Sequence, residues 1–141
     1  MADSLEKNLW AWLKRGTLRC RDLHMERVEN SIAEGTPDVD ACYQGADFKI
    51  ELKTGSVTIR HGYVRTKFQP KQLPWIKRRT KVGGRAFVLI QIGRVRYLVP
   101  GRLCENFYRT DFTLGELEGI SIVPPKSSAM DVIGACAHHP L

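Results

Sequence analysis

The stretch GTPDVDACYQGADFKIELKTG, residues 35–55, sets an aspartate after a proline and, thirteen positions later, a glutamate and a lysine two apart in an apolar run. In DFKIELK, Phe48, Ile50 and Leu52 alternate with Lys49, Glu51 and Lys53. That period of two marks a strand with one face in a core. It puts Glu51 and Lys53 on one face together, and Asp38, opening the strand expected to pair with it, lies across from them. Two converging carboxylates form a hard, oxygen-rich site suited to Mg²⁺ or Mn²⁺, which take a few carboxylates together with water and phosphate oxygens. The backbone carbonyl of Leu52, between the two strand side chains, offers a further ligand. A lysine beside such an ion can hold the attacking water and offset charge building on phosphorus. These groups suit phosphodiester hydrolysis, and the alternative is a solvated strand face.

The elements that must position them can be read from the surrounding pattern. Residues 4–15 read as an amphipathic helix, with Ser4 as cap, Leu5, Leu9, Trp12 and Leu13 on one side, and Gly16 as the stop. A short strand is expected over residues 25–31. Pro37 excludes helix before it, and PDVDACY suits a second strand through Val39 and Ala41. With DFKIELK these make an antiparallel meander with short turns. Residues 54–69 read as a longer basic loop. QPKQLPWIKRRTKVGG fits a helix started near Pro70 and stopped at Gly83 and Gly84, its first turn disturbed by Pro74. RAFVLIQIG is a continuous apolar run, the pattern of a strand covered on both faces. RVRYLVP is a further strand, and GRLCENFYR a short helix. The order predicts an α/β sheet flanked by helices in one domain over residues 1–125, followed by a loosely held tail over residues 126–141.

Charge locates a second property. The chain of 141 residues carries 22 Lys and Arg against 15 Asp and Glu, a net +7. Between Leu52 and Cys104 there is no acid, and thirteen Lys and Arg stand there, which leaves nine basic against fifteen acidic residues elsewhere. Tyr63, Phe68 and Trp75 are interleaved with them. Polyanion binding explains such a segment better than a plain solvated face. Arg60, Arg65, Lys67, Lys71, Lys77, Arg78, Arg79 and Lys81 are the candidate nucleic-acid contacts, and phosphate contacts of this kind give affinity without reading sequence. Nothing resembles a recognition helix or a zinc module.

Other features exclude more than they assign. No apolar run approaches the ~20 residues of a bilayer span. The N-terminal segment has acids early and no basic region leading into an apolar one, so no signal peptide is expected and an intracellular, cytoplasmic location is. Cys20, Cys42, Cys104 and Cys136 form no CxxC pair and read as free thiols. Cys136, His138 and His139 crowd the C-terminus without a second ligand cluster and read as a frayed end rather than a metal site.

Pro37–Asp38 followed by Glu51–Leu52–Lys53 resembles the PD-(D/E)xK nuclease superfamily. GTPD is similar to the GxPD of its VRR-NUC and Holliday-junction-resolvase-like branches. KQLPWIKRRTKVGGRAFVLIQIG looks like their next element, a helix opening on glutamine and leading through glycine into an apolar strand. The resemblance implies a restriction-endonuclease-like core of order helix, three strands, helix, strand. It implies that Asp38 and Glu51 ligate Mg²⁺, with Mn²⁺ able to substitute, that Lys53 serves the water, and that Gln72 orients water or phosphate. Relatives place a glutamate of the first helix near the metal, which makes Glu6 a candidate ligand. A first-turn glutamate favourable to the helix dipole is the other account of Glu6. Asp40 shares a strand face with Asp38 and could assist a second ion, or be a bystander as Lys49 is. Glu29 and Glu34 read as strand-edge and turn residues.

The resulting expectation is a Mg²⁺-dependent DNA endonuclease, structure-selective toward branched DNA in the manner of Holliday-junction resolvases. Homodimerisation is implied by the resemblance alone, and a phage or mobile-element source by analogy. An end-trimming, flap or non-specific nuclease is the alternative within the class. A basic nucleic-acid-binding protein with structural carboxylates is the alternative outside it.

Overall fold

The computed structural model describes residues 2–29 and 34–141, with the backbone alone for residues 2–4. The first helix already includes residue 4, so Ser4 is not its cap, and the end of the expected first strand lies outside the described residues. Helix α1 (Ala2–Arg15) leads into β1 (Leu23–Arg27), β2 (Val39–Tyr43) and β3 (Ala46–Val57), an antiparallel meander. A short β4 (Val64–Thr66) returns against the end of β3, and α2 (Gln72–Lys81) crosses to β5 (Ala86–Ile92). β5 pairs parallel with β3, and β6 (Val95–Pro100) pairs antiparallel with β5. A 3-10 helix (Gly101–Tyr108), α3 (Leu114–Ile120) and α4 (Ala129–His138) complete the chain. The sheet is mixed and six-stranded, and runs β1-β2-β3-β5-β6 with β4 on β3.

The expected order of helix, three strands, helix, strand is present, and helices flank the sheet on both faces. Leu9 and Leu13 of α1 and Val132, Ile133 and Cys136 of α4 pack on Phe48, Ile50 and Leu52. On the other face Leu73 and Ile76 of α2, Cys104 and Leu117 pack on Val88, Ile90 and Val99. The continuous apolar run of β5 follows from this sandwich: Phe87 and Leu89 enter one core, Val88 and Ile90 the other.

Three expectations are corrected. Residues 54–69 are not a loop throughout, since β3 continues to Val57 and turns into β4. The helix expected from Pro70 opens at Gln72, and Pro74 does not disturb it, because a third-position amide has no intrahelical acceptor to lose. The tail over residues 126–141 is not loosely held. Ser128 and Asp131 form a reciprocal capping box at the start of α4, and Arg85 donates through Nε to the Cys136 carbonyl at its end (2.8 Å). Cys136 is fully buried rather than frayed.

Candidate active site

The edge of β3 that faces away from β5 is shared by two partners. β2 pairs with it as far as Ile50 and β4 resumes at Gly55, leaving residues 51–54 between them. Asp38 sits at the bend just before β2 and fills part of this gap. Its Oδ2 accepts from the Leu52 backbone N–H (3.0 Å), its own N–H donates to Glu51 Oε2 (3.3 Å), and its carbonyl accepts from Val28 N–H (2.7 Å). Because N–H and C=O of one strand residue face the same edge, the Leu52 carbonyl points to the Asp38 side of the strand.

Glu51 and Lys53 leave β3 on the face that α2 covers, beside Val88 and Ile90 of β5. Both are buried, at 0% and 5% exposure. Lys53 Nζ lies 3.9 Å from Glu51 Oε1 and 4.8 Å from the centroid of the Phe68 ring, over its face. Phe68 in turn contacts Phe107 (ring centroids 5.3 Å apart), which meets Phe112 edge-on. The ammonium is therefore held between a carboxylate and an aromatic face.

Glu51 Oε1 is buried and has no hydrogen-bond partner. Burial first, and the neighbouring Asp38 charge second, push the Glu51 carboxyl up to about 9, with the Lys53 ammonium opposing them. Buried with one oxygen unbonded beside a second carboxylate, Glu51 either keeps a proton or takes a compensating positive charge. The donor set of Asp38, Glu51 and the Leu52 carbonyl is all oxygen, which fits a hard divalent cation.

The cleft in front of Asp38 has a volume of about 490 Å³ and is bordered by Gly35, Thr36, Lys71 and Gln72. Gln72 is thus in the same cleft as Asp38. Its Oε1 accepts from the Gln69 N–H (2.8 Å), closing the turn into α2, so its NH₂ group is the end able to donate into the cleft. Gly35 fixes the distance between the two walls. Its φ is +89°, and a Cβ there would stand 2.3 Å from the Lys71 carbonyl oxygen. The glycine before PD is required by this contact with the start of α2.

The remaining candidates divide. Glu6 lies half-buried on α1, and among the described residues no group of three or more His, Cys, Asp or Glu side chains comes together as a metal site. Asp40 is ion-paired with Lys49, its cross-strand partner, and Glu34 with Lys71 (3.0 Å). Arg60, Arg65 and Lys67 are exposed on the β3–β4 hairpin and just beyond it, and Lys71 borders the cleft. Lys77, Arg78, Arg79 and Lys81 are exposed on the later turns of α2, where Lys77 pairs with Glu105 and Arg79 stacks on Trp75 (4.4 Å). Phe68, read in the sequence as one of the aromatics of a polyanion surface, lies instead on Lys53. Its place in a basic stretch fifteen residues after that lysine gave no sign of the contact.

No protein-family model matches the chain, and no curated protein matches it. Among solved structures the chain is similar to Archaeoglobus fulgidus Hjc, a Holliday junction resolvase from an archaeal hyperthermophile. The likeness has 17% sequence identity and a TM-score of 0.43, over 69% of this chain and 74% of that one.

Proposed function

We propose that this chain is a metal-dependent DNA endonuclease of the PD-(D/E)xK superfamily, acting on branched DNA. The observation that carries the reading is the convergence of Asp38, Glu51 and Lys53 at the gap in β3, with Glu51 Oε1 buried and unbonded. Asp38, Glu51 and the Leu52 carbonyl would hold Mg²⁺ or Mn²⁺. When bound there, the ion supplies Lewis acidity, drawing charge from a phosphate oxygen and easing ionisation of the attacking water.

The chain's own groups account for the rest. Lys53, buried against Phe68, places its Nζ beside Glu51 and donates hydrogen bonds to the water and to the phosphoryl oxygens as their charge grows. The Gln72 NH₂ orients the phosphate at the cleft wall. Lys71 and the hairpin residues Arg60, Arg65 and Lys67 hold the flanking backbone, which gives affinity without sequence readout. The homodimer implied by the family resemblance would bring a second copy of the site to a second strand.

The test is cleavage of a four-way junction, a flap and a linear duplex with Mg²⁺ or Mn²⁺. Wild-type protein is expected to cut the junction fastest, while Asp38→Asn, Glu51→Gln and Lys53→Ala bind it without cutting. Equal rates on all three substrates would leave a nuclease without branch selectivity. Binding with no cleavage by the wild type would leave a basic DNA-binding protein.

A further inference from the structure

The β3–β4 hairpin ends in a side chain that the fold has no use for. Ile59 is fully exposed. The turn that carries it is built, not slack: the Thr58 N–H donates to the Tyr63 carbonyl (2.9 Å), and the Gly62 N–H donates to the Thr58 carbonyl (2.9 Å). The Tyr63 N–H donates to Thr58 Oγ1 (3.0 Å), and Gly62 takes φ +67°, which closes the loop. The base of the hairpin is braced from outside by residues 112–114, through Val64 N–H to the Phe112 carbonyl (2.7 Å) and Leu114 N–H to the Gly62 carbonyl (2.9 Å). A single exposed aliphatic is ordinary on a protein surface; what sets Ile59 apart is its place at the tip of a hydrogen-bonded, braced turn.

The surroundings of Ile59 state the chemistry of a partner that would cover it. Arg60 and His61 follow it at the tip and are exposed. The His61 and Tyr63 rings stack at 5.0 Å with 20° between their planes, and Arg65 lies over the Tyr63 ring at 5.6 Å. Residues 55–66 of the hairpin fall in the acid-free stretch of the chain, and the acids of the bracing segment, Asp111 and Glu116, are both paired with Arg109. An apolar tip and a cationic, aromatic flank suit a duplex: the tip can enter a base step while the flank follows phosphates and exposed base faces. A protein groove would match the isoleucine but not the charge around it.

The geometry points to the hairpin as a DNA wedge, in which Ile59 enters and unstacks a deformable base step such as the branch point of a junction. This rests on the DNA reading proposed above and adds the means of selecting structure. The same strand carries Lys53 and the hairpin, six residues apart, so tip and active centre are separated by no more than roughly 20 Å, or about six nucleotides of one strand. Cleavage should therefore fall at a fixed offset from the wedged step.

The test uses a four-way junction with 2-aminopurine at the branch point and the full chain carrying Asp38→Asn, so that complexes persist. Binding is expected to raise the fluorescence severalfold. Adding Ile59→Ser should leave most of the affinity and remove most of the rise, whereas Leu18→Ser, at an exposed leucine between α1 and β1, should change neither. In the cutting protein, Ile59→Ser should scatter the cleavage positions that are otherwise fixed. Retention of the full rise and of the cleavage positions by Ile59→Ser would overturn the wedge while leaving the nuclease intact. So would an Ile59→Ser effect confined to self-association in sedimentation. Absence of DNA binding by the parent protein would overturn the underlying DNA reading, and the wedge with it.

Discussion

At the scale of single residues, Glu51 sets the conditions under which the site is comfortable. Its carboxyl is pushed up to about 9 by burial and by Asp38, from an ordinary value of 4.5. In the cation-free protein the folded state thus keeps a proton that the unfolded chain releases, and stability present at low pH is lost as pH rises toward 9. Thermal melting of cation-free protein from pH 5 to pH 9 is expected to show this fall. Mg²⁺ should flatten the profile through binding to the folded state alone, and Glu51→Gln should flatten it without metal. A profile indifferent to Mg²⁺ in the wild type would remove Glu51 from the metal site.

Lys53 makes a kinetic prediction: Lys53→Ala is expected to lower kcat by roughly 10²- to 10⁴-fold with DNA binding little changed. Lys53→Arg should not restore it, because a planar guanidinium does not fit a slot that leaves the lysine 5% exposed under Phe68. The convergence of Asp38, Glu51 and Lys53 was legible because strand alternation sorts their faces and the proline fixes where the partner strand starts. Phe68 was not, because it reaches Lys53 from an irregular segment whose path no periodicity reports.

At the scale of elements, two contacts hold the site in shape. The first is Gly35 against Lys71, which ties the PD bend to the first turn of α2. Gly35→Ala combines an unfavourable φ with a carbonyl clash. It is expected to cost on the order of 1–3 kcal/mol and to weaken Mg²⁺ binding, as read by denaturant unfolding and by Mg²⁺-dependent melting. The second is α4, which closes the core behind β3. Deleting residues 126–141 exposes Leu9, Phe48 and Ile50 and should abolish cooperative unfolding, a result that circular dichroism during heating would register. The meander and the β5 strand were legible through their apolar patterns. Helix α4 was missed because Ala129, Gly134, Cys136 and Ala137 carry little hydrophobic weight, although the SxxD capping box at Ser128 was in view. The β3–β4 hairpin was missed because Gly62 and the basic residues around it read as loop.

At the scale of the whole molecule, the thirteen cations of the acid-free segment do not share one task. Lys53 is in the core, Arg85 caps α4 and Arg96 packs on the Trp12 ring at 3.9 Å. Segment charge was legible in the sequence; its division between core, helix end and surface was not, because that depends on which strands neighbour one another. A salt titration of DNA binding separates them. Replacing Arg60, Arg65 or Lys67 by alanine should weaken binding and reduce the slope of log K against log salt by about one each. Arg85→Ala should lower the melting temperature and leave the slope unchanged.

The gap between β2 and β4 has one more consequence. Unpaired main chain on a sheet is a template for another polypeptide, and proteins normally cover or distort it to avoid joining end to end. Here the stretch without a strand partner is four residues long, closed off by a strand on either side and shorter than the five to six residues of an ordinary strand. It is partly met by side chains, Asp38 Oδ2 on the Leu52 N–H and Thr66 Oγ1 on the Thr54 carbonyl. No second chain can dock into it in register. The sheet can therefore leave backbone groups open at its centre without risk of fibre growth, and the gap admits only guests smaller than a strand.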